Sequence, residues 1–89
     1  MNNGDIVVYE TDELEWILIF EDWYKPYDGH IHYYALLVYP DKLYLPGTCC
    51  ILDEDCFREP TDEEKQLLFD KLEENGYKWD GENKKLIKI

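Results

Sequence analysis

Trp16-Ile17-Leu18-Ile19-Phe20 is an unbroken apolar run, and its reading decides the fold. It is too short for a helix and rich in β-branched and aromatic side chains, so a strand is expected. No polar residue interrupts it. Both faces of the strand therefore need cover, which places it at the centre of a sheet. Upstream, Gly4-Asp5 opens a second short run, Ile6-Val7-Val8-Tyr9, which reads as the first strand. Glu10-Thr11-Asp12-Glu13 is the turn between the two.

Downstream, Tyr24-Lys25-Pro26-Tyr27-Asp28-Gly29-His30 reads as a loop, because Pro26 lacks an amide donor and Asp28-Gly29 is a turn pair. A third strand is expected from Ile31 to Tyr39. Simple alternation puts Ile31, Tyr33, Ala35, Leu37 and Tyr39 on one face and His32, Tyr34, Leu36 and Val38 on the other. Both sets are partly apolar, so this strand is central as well. Pro40-Asp41 makes the next turn. Leu43-Tyr44-Leu45 follows as a fourth strand closed by Pro46-Gly47, and Cys49 to Leu52 as a fifth.

The helix signal is the clearest in the chain. Thr61 is an N-cap with Glu64 three residues on, which is a capping box. Asp62 and Glu63 complement the positive end of the helix dipole. Leu68 and Leu72, with Phe69, form one apolar stripe, and Gly76 stops the helix at C′. A helix over about Asp62 to Asn75 is predicted. Tyr77-Lys78-Trp79 and Lys85-Leu86-Ile87-Lys88-Ile89 then bracket Asp80-Gly81-Glu82-Asn83, which is hairpin chemistry with Trp79 turned inward. About five short strands suggest a small antiparallel barrel or sandwich, with the helix and hairpin covering an open end or edge. The 89 residues fit one α+β domain: strands over 1–60, helix over 61–76 and hairpin over 77–89. A chain this short buries only about 60–65% of its unfolded surface, so the core is small.

The formal net charge is −12. Residues 1–64 carry 16 acidic side chains against Lys25, Lys42 and Arg58, whereas residues 65–89 carry 6 lysines against 5 acids. Polyphosphate binding needs Lys and Arg to displace counterions, so direct contact with DNA or RNA is disfavoured, as is an anionic membrane surface. No stretch approaches the roughly 20 apolar residues that span a bilayer. Met1-Asn2-Asn3-Gly4-Asp5 has no basic start and no apolar run, so no signal peptide is read. The expected setting is the cytoplasm, with Cys49, Cys50 and Cys56 as reduced thiols. Adjacent Cys49 and Cys50 point to opposite faces of a strand.

Gly4-Asp5-Ile6-Val7-Val8, the Trp16–Phe20 strand, and the ending Thr61-Asp62-Glu63-Glu64-Lys65-Gln66-Leu67-Leu68-Phe69-Asp70 with Gly76-Tyr77-Lys78-Trp79-Asp80 resemble a group of small uncharacterised acidic proteins. These are common in gut bacteria and the bacteriophages that infect them. The resemblance covers most of the chain. It implies an SH3-like barrel with a C-terminal helix, in a phage or mobile-element setting, and no reaction.

Two sets of residues are function-like. The first is an acidic surface: Asp12, Glu13, Glu15, Glu21, Asp22, Asp53, Glu54, Asp55, Glu59, Asp62 and Glu63. If they converge on one face, carboxylates spaced like phosphates imitate a nucleic-acid backbone and steer the protein onto a basic surface. The plainer alternative is that they only confer solubility. The second is an aromatic loop, Trp23, Tyr24 and Tyr27, suited to an extended peptide. Its plainer alternative is ring packing on a small barrel.

His30 and His32 fall on one face of a strand, but the paired Cys spacing of structural zinc is absent, so no metal is expected. Cys56 lies among Asp53, Glu54, Asp55 and Glu59, which raise a thiol pKa and oppose nucleophilic use. Asp53-Glu54-Asp55 lacks the alternate spacing and glycine of a calcium loop. The resulting expectation is a non-enzymatic protein-binding module without cofactor, whose partner is another protein with a basic surface. A phage-type inhibitor of a nucleic-acid-handling host or defence protein is its sharpest form. A structural or assembly component is the alternative.

Overall fold

The computed structural model describes residues 1–24, 29–51 and 53–89. The elements run β1 (Ile6–Glu10), β2 (Glu15–Trp23), β3 (His30–Val38), β4 (Lys42–Tyr44), β5 (Gly47–Cys50), a 3₁₀ turn (Glu54–Cys56), β6 (Phe57–Arg58), α1 (Asp62–Glu74), β7 (Tyr77–Asp80) and β8 (Lys85–Lys88). The expected Tyr24–His30 loop lies largely outside the described residues, as do Tyr27 and Leu52.

All strand pairs are antiparallel. β2 sits between β1 and β3, as its unbroken apolar run requires. β6 extends the sheet beyond β1. On the far side β4 and β5 divide β3 between them: β4 pairs Leu36–Val38 and β5 pairs His30–Tyr33. β7 and β8 form a separate hairpin.

The sheet is covered on both faces. One face carries Val7, Tyr9, Leu18, Phe20, Ile31, Tyr33, Leu36 and Ile51, with Cys49, Cys56 and Phe57 packed on them. The other carries Val8, Ile17, Ile19, Ala35 and Leu37, closed by Leu68 and Leu72 of α1 and flanked by Tyr77, Trp79 and Leu86 of the hairpin. Each fully buried leucine of α1 contributes about 1.5–3 kcal/mol of transfer free energy.

The helix forms where predicted. The Thr61 hydroxyl accepts the Glu64 N–H at 3.1 Å, and a Glu64 carboxylate oxygen accepts the Thr61 N–H at 2.8 Å. Asn75 caps the other end, and Gly76 follows at φ +84°, the left-handed conformation a C′ residue needs.

The structure corrects the sequence reading in four places. The sheet is not a closed barrel: the ladder ends at β6 on one side and at β4 and β5 on the other. The helix and hairpin cover a face of the sheet rather than an open end. A further strand, β6, forms at Phe57–Arg58, too short for its two residues to show any periodicity.

The fourth correction is to β3, whose faces do not alternate simply. Ile19 pairs with Ala35 and Phe20 with Tyr33, leaving Tyr34 as an extra residue. Phe20 pairs with Tyr33 and Asp22 with His32, leaving Glu21 extra on β2. Because side chains repeat every two residues, each bulge reverses the facing of the residues beyond it. Ile31 and Tyr33 therefore share a face with Leu36 and Val38, while Tyr34 joins Ala35 and Leu37. Tyr34 uses its position well: its hydroxyl donates to Asn3 Oδ1 at 2.9 Å, and its ring lies 5.0 Å from that of Trp79.

Candidate functional site

The antiparallel β1–β2 turn brings Glu10 directly opposite Glu15. Two like charges facing each other across a ladder are unfavourable unless a cation joins them. Arg58 on β6 is that cation, and it is the only arginine in the chain. Its Nε donates to Glu10 Oε1 at 3.1 Å, and its Nη2 lies 3.6 Å from Glu15 Oε1. The same guanidinium donates in parallel to Glu64 at 2.8 Å through each of Nη1 and Nη2, and its Nη1 reaches the Glu59 carbonyl at 3.1 Å. One planar fork thus ties the edge of the sheet to the first turn of α1.

The three carboxylates respond differently. The Arg58 hydrogen bonds and the Thr61 N–H hold the Glu64 carboxyl down at about 2. The Arg58 bond, aided by a hydrogen bond with Glu15, also lowers Glu10. Glu15 moves the other way, raised first by burial and then by its hydrogen bond with Glu10. Arg58 itself is raised further by Glu64 and Glu10.

Beside this network lies an open groove of about 470 Å³ lined by Glu15, Tyr39, Thr61, Glu63, Glu64 and Leu67. Tyr39 is an exposed aromatic at its rim. The 3₁₀ turn sits at the same end of the sheet. Its N-cap Asp53 accepts the Asp55 N–H at 2.9 Å and donates its own N–H to the buried Tyr9 hydroxyl at 3.1 Å. Burial, followed by the Asp53, Asp55 and Asp12 carboxylates, raises the Cys56 thiol, so the turn and the β1–β2 loop share one negative field. Burial pushes the Cys49 thiol up to about 11, while Cys50 is exposed. Neither Cys49 nor Cys56 has the electropositive setting a nucleophile needs.

The acidic set therefore divides. Glu15 reaches Arg58 together with Glu10 and Glu64, and Asp62 and Glu63 stand beside Glu64 in the first turn of α1, whereas Asp12, Asp53 and Asp55 act on Cys56 on the other face of the sheet, with Glu13 and Glu54 as their chain neighbours. Glu21 and Asp22 lie at the opposite end of β2, about 20 Å from Glu15 at the rise of an extended chain. Glu59 sits in a separate groove with Asp5 and Lys65. The aromatic loop also divides. Trp23 packs on the apolar cluster, 5.8 Å from Phe20, and Tyr24 contacts the ring of His32 at 5.0 Å.

Arg58 and Tyr39 are absent from the sequence-derived site. A lone arginine within a strongly acidic half was the available signal for Arg58. The sequence reading counts Glu10 and Glu64 among the acidic residues, but their meeting at Arg58 follows only once the register is known. Among the described residues, no three His, Cys, Asp or Glu side chains are arranged to hold a metal ion, and no helix is long and apolar enough to cross a membrane. No family model, no curated protein and no solved structure matches the chain.

Proposed function

We propose that this protein is a non-enzymatic binding module whose carboxylate-rich end docks on a basic surface of another protein. The observation that carries this reading is that Arg58 joins Glu10 and Glu15, at the ends of β1 and β2, to the acidic first turn of α1, while the β1–β2 turn shares a negative field with the 3₁₀ turn at Cys56. That arginine pairs with Glu10 and Glu64, one positive charge against two carboxylates. It leaves Asp12, Glu13, Glu54, Asp62 and Glu63 exposed. Fixed outward carboxylates on a rigid sheet end produce a field that steers a cationic partner and repels polynucleotides. The Tyr39 groove adds an aromatic wall beside Glu63, suited to the stem and charge of a lysine or arginine side chain.

The sharpest form of the proposal is an inhibitor that occupies the nucleic-acid-binding surface of a host or defence protein in the cytoplasm, as an accessory protein of a phage or mobile element.

The test uses a purified basic nucleic-acid-binding protein and a labelled duplex. The module is expected to displace the duplex at low salt and to lose this effect as salt rises, because exposed charge pairs are screened. The quadruple variant Asp12→Asn, Glu13→Gln, Asp62→Asn, Glu63→Gln is expected to lose it at every salt concentration. Equal activity of that variant would overturn the reading.

One observation favours assembly as a second reading. Tyr39, Tyr44 and Leu45 are exposed together around β4, an edge strand. Aromatic side chains at an open edge suit association with a larger particle. A concentration-independent monomer in sedimentation removes self-assembly from that reading.

A further inference from the structure

Phe69 and Glu73 stand four residues apart on α1 and so share a face of the helix. Asn75 and Gly76 then reverse the chain, and β7 returns beside α1. Tyr77 and Trp79, two residues apart on β7, share the face that packs on the cluster closed by Leu68 and Leu72. Helix and strand meet at an open groove of about 210 Å³, lined by Phe69, Glu73, Tyr77, Lys78 and Trp79. All three rings are half-buried, and Glu73 is exposed. Strand alternation turns the exposed Lys78 side chain away from its two aromatic neighbours, which leaves Glu73 as the charge on the aromatic side. Among the described residues Glu73 enters no ion pair. Trp79 is held in place, with its ring 5.0 Å from that of Tyr34 and its Nε1 3.4 Å from where a Cβ on Gly81 would stand.

From this juxtaposition we infer that the groove between α1 and β7 binds a small quaternary ammonium compound of the choline type. The face of an aromatic ring attracts a cation placed within about 6 Å of its centre. A methylated ammonium spreads its charge over its methyl groups, so it gives up little hydration on settling among half-buried rings. A primary ammonium is a compact, strongly hydrated charge and gives up more. The volume lies below the about 300–1,000 Å³ of sites for drug-sized ligands, and suits one headgroup rather than a larger molecule. Charge decides between a cation and a zwitterion. With Glu73 at the rim and a net charge of −12, choline is drawn in, whereas the carboxylate of betaine is repelled. Tyr34 fixes the Trp79 ring before any ligand arrives, which lowers the ordering cost of binding. The inference does not depend on the acidic end of the molecule.

The test follows amide and indole resonances of isotope-labelled protein during titration with choline chloride, with matched sodium chloride as the salt control. Saturable shifts are expected at Phe69, Glu73, Tyr77 and the Trp79 indole, with betaine binding more weakly. The neutral carbon isostere of choline, in which a tert-butyl group replaces the trimethylammonium group, is expected to bind about tenfold more weakly. Glu73→Gln, at an exposed position, is expected to weaken choline binding, and Phe69→Leu, with a folded amide spectrum, to abolish saturation. Equal binding of the neutral isostere, unchanged binding in Glu73→Gln, shifts centred on Tyr39 and Glu63, or no saturable shift would each overturn the inference.

Discussion

Arg58 and Glu64 form a two-pronged ion pair, with both nitrogen–oxygen distances at 2.8 Å, that joins the last strand of the sheet to the first turn of the helix. Glu64 also accepts the Thr61 N–H, so one carboxylate serves the helix cap and the helix–sheet junction together. The Glu64 side chain is only 13% exposed, which limits screening of its half of the pair.

Arg58→Met is expected to lower stability by about 1–2 kcal/mol. A charge-assisted pair of this geometry contributes about 1.5–3 kcal/mol, discounted because the arginine is more than a third exposed. The loss also leaves Glu10 facing Glu15 without a cation. Urea unfolding checks it, and a change within error would show that the network is energetically idle.

The acid limb of stability follows from Glu64. Its carboxyl titrates at about 2 in the folded protein against an ordinary value of 4.5. A depressed folded value means that its stabilisation is full above the ordinary range and is lost as pH falls through about 2. Glu15, raised in the fold, acts with opposite sign and is relieved by acid. Glu64→Gln should flatten the fall in stability between pH 4.5 and 2, measured by thermal melts across that range. A limb as steep as that of the parent would contradict the assignment.

At the helix ends, Thr61→Ala is expected to cost about 1 kcal/mol through loss of the capping oxygen. Gly76→Ala should cost about 1–2 kcal/mol. A Cβ at Gly76 meets nothing within 4 Å, so the whole penalty is the left-handed backbone at φ +84°. Gly76→Asn, which tolerates that conformation, should recover part of it in the same melts.

Thiol chemistry should separate the three cysteines. Cys50 is exposed, Cys49 is held up at about 11 by burial, and Cys56 is raised by burial and by its acidic neighbours. Brief alkylation of the native protein at neutral pH should modify Cys50 first, as read by peptide mass spectrometry. Preferential labelling of Cys49 would mean that its strand faces the other way.

The helix was legible in the chain almost residue for residue, because capping and the Leu68–Leu72 stripe are local chemistry that depends on neighbours three and four positions away. β2 was legible because an unbroken apolar run has no stable solution except burial on both faces. The separation of Cys49 from Cys50 followed from strand alternation alone. The site was less legible. The acidic segments were evident as composition, but the pairing of Glu10 with Glu15 and their meeting with Glu64 at Arg58 depend on register across nearly fifty residues of chain.

What the amino-acid sequence determined by itself was whatever local periodicity and capping encode: one helix, its ends, the central strand, the terminal hairpin and the sign of the charge. Tertiary structure alone decided whether the sheet closes, which face α1 covers and where β6 joins. It also placed the bulges at Tyr34 and Glu21, which split Tyr34 from Leu36, two residues that simple alternation sets on one face. The physical reason is that a bulge costs little locally and is chosen by the packing of both faces at once, which no stretch of chain specifies alone.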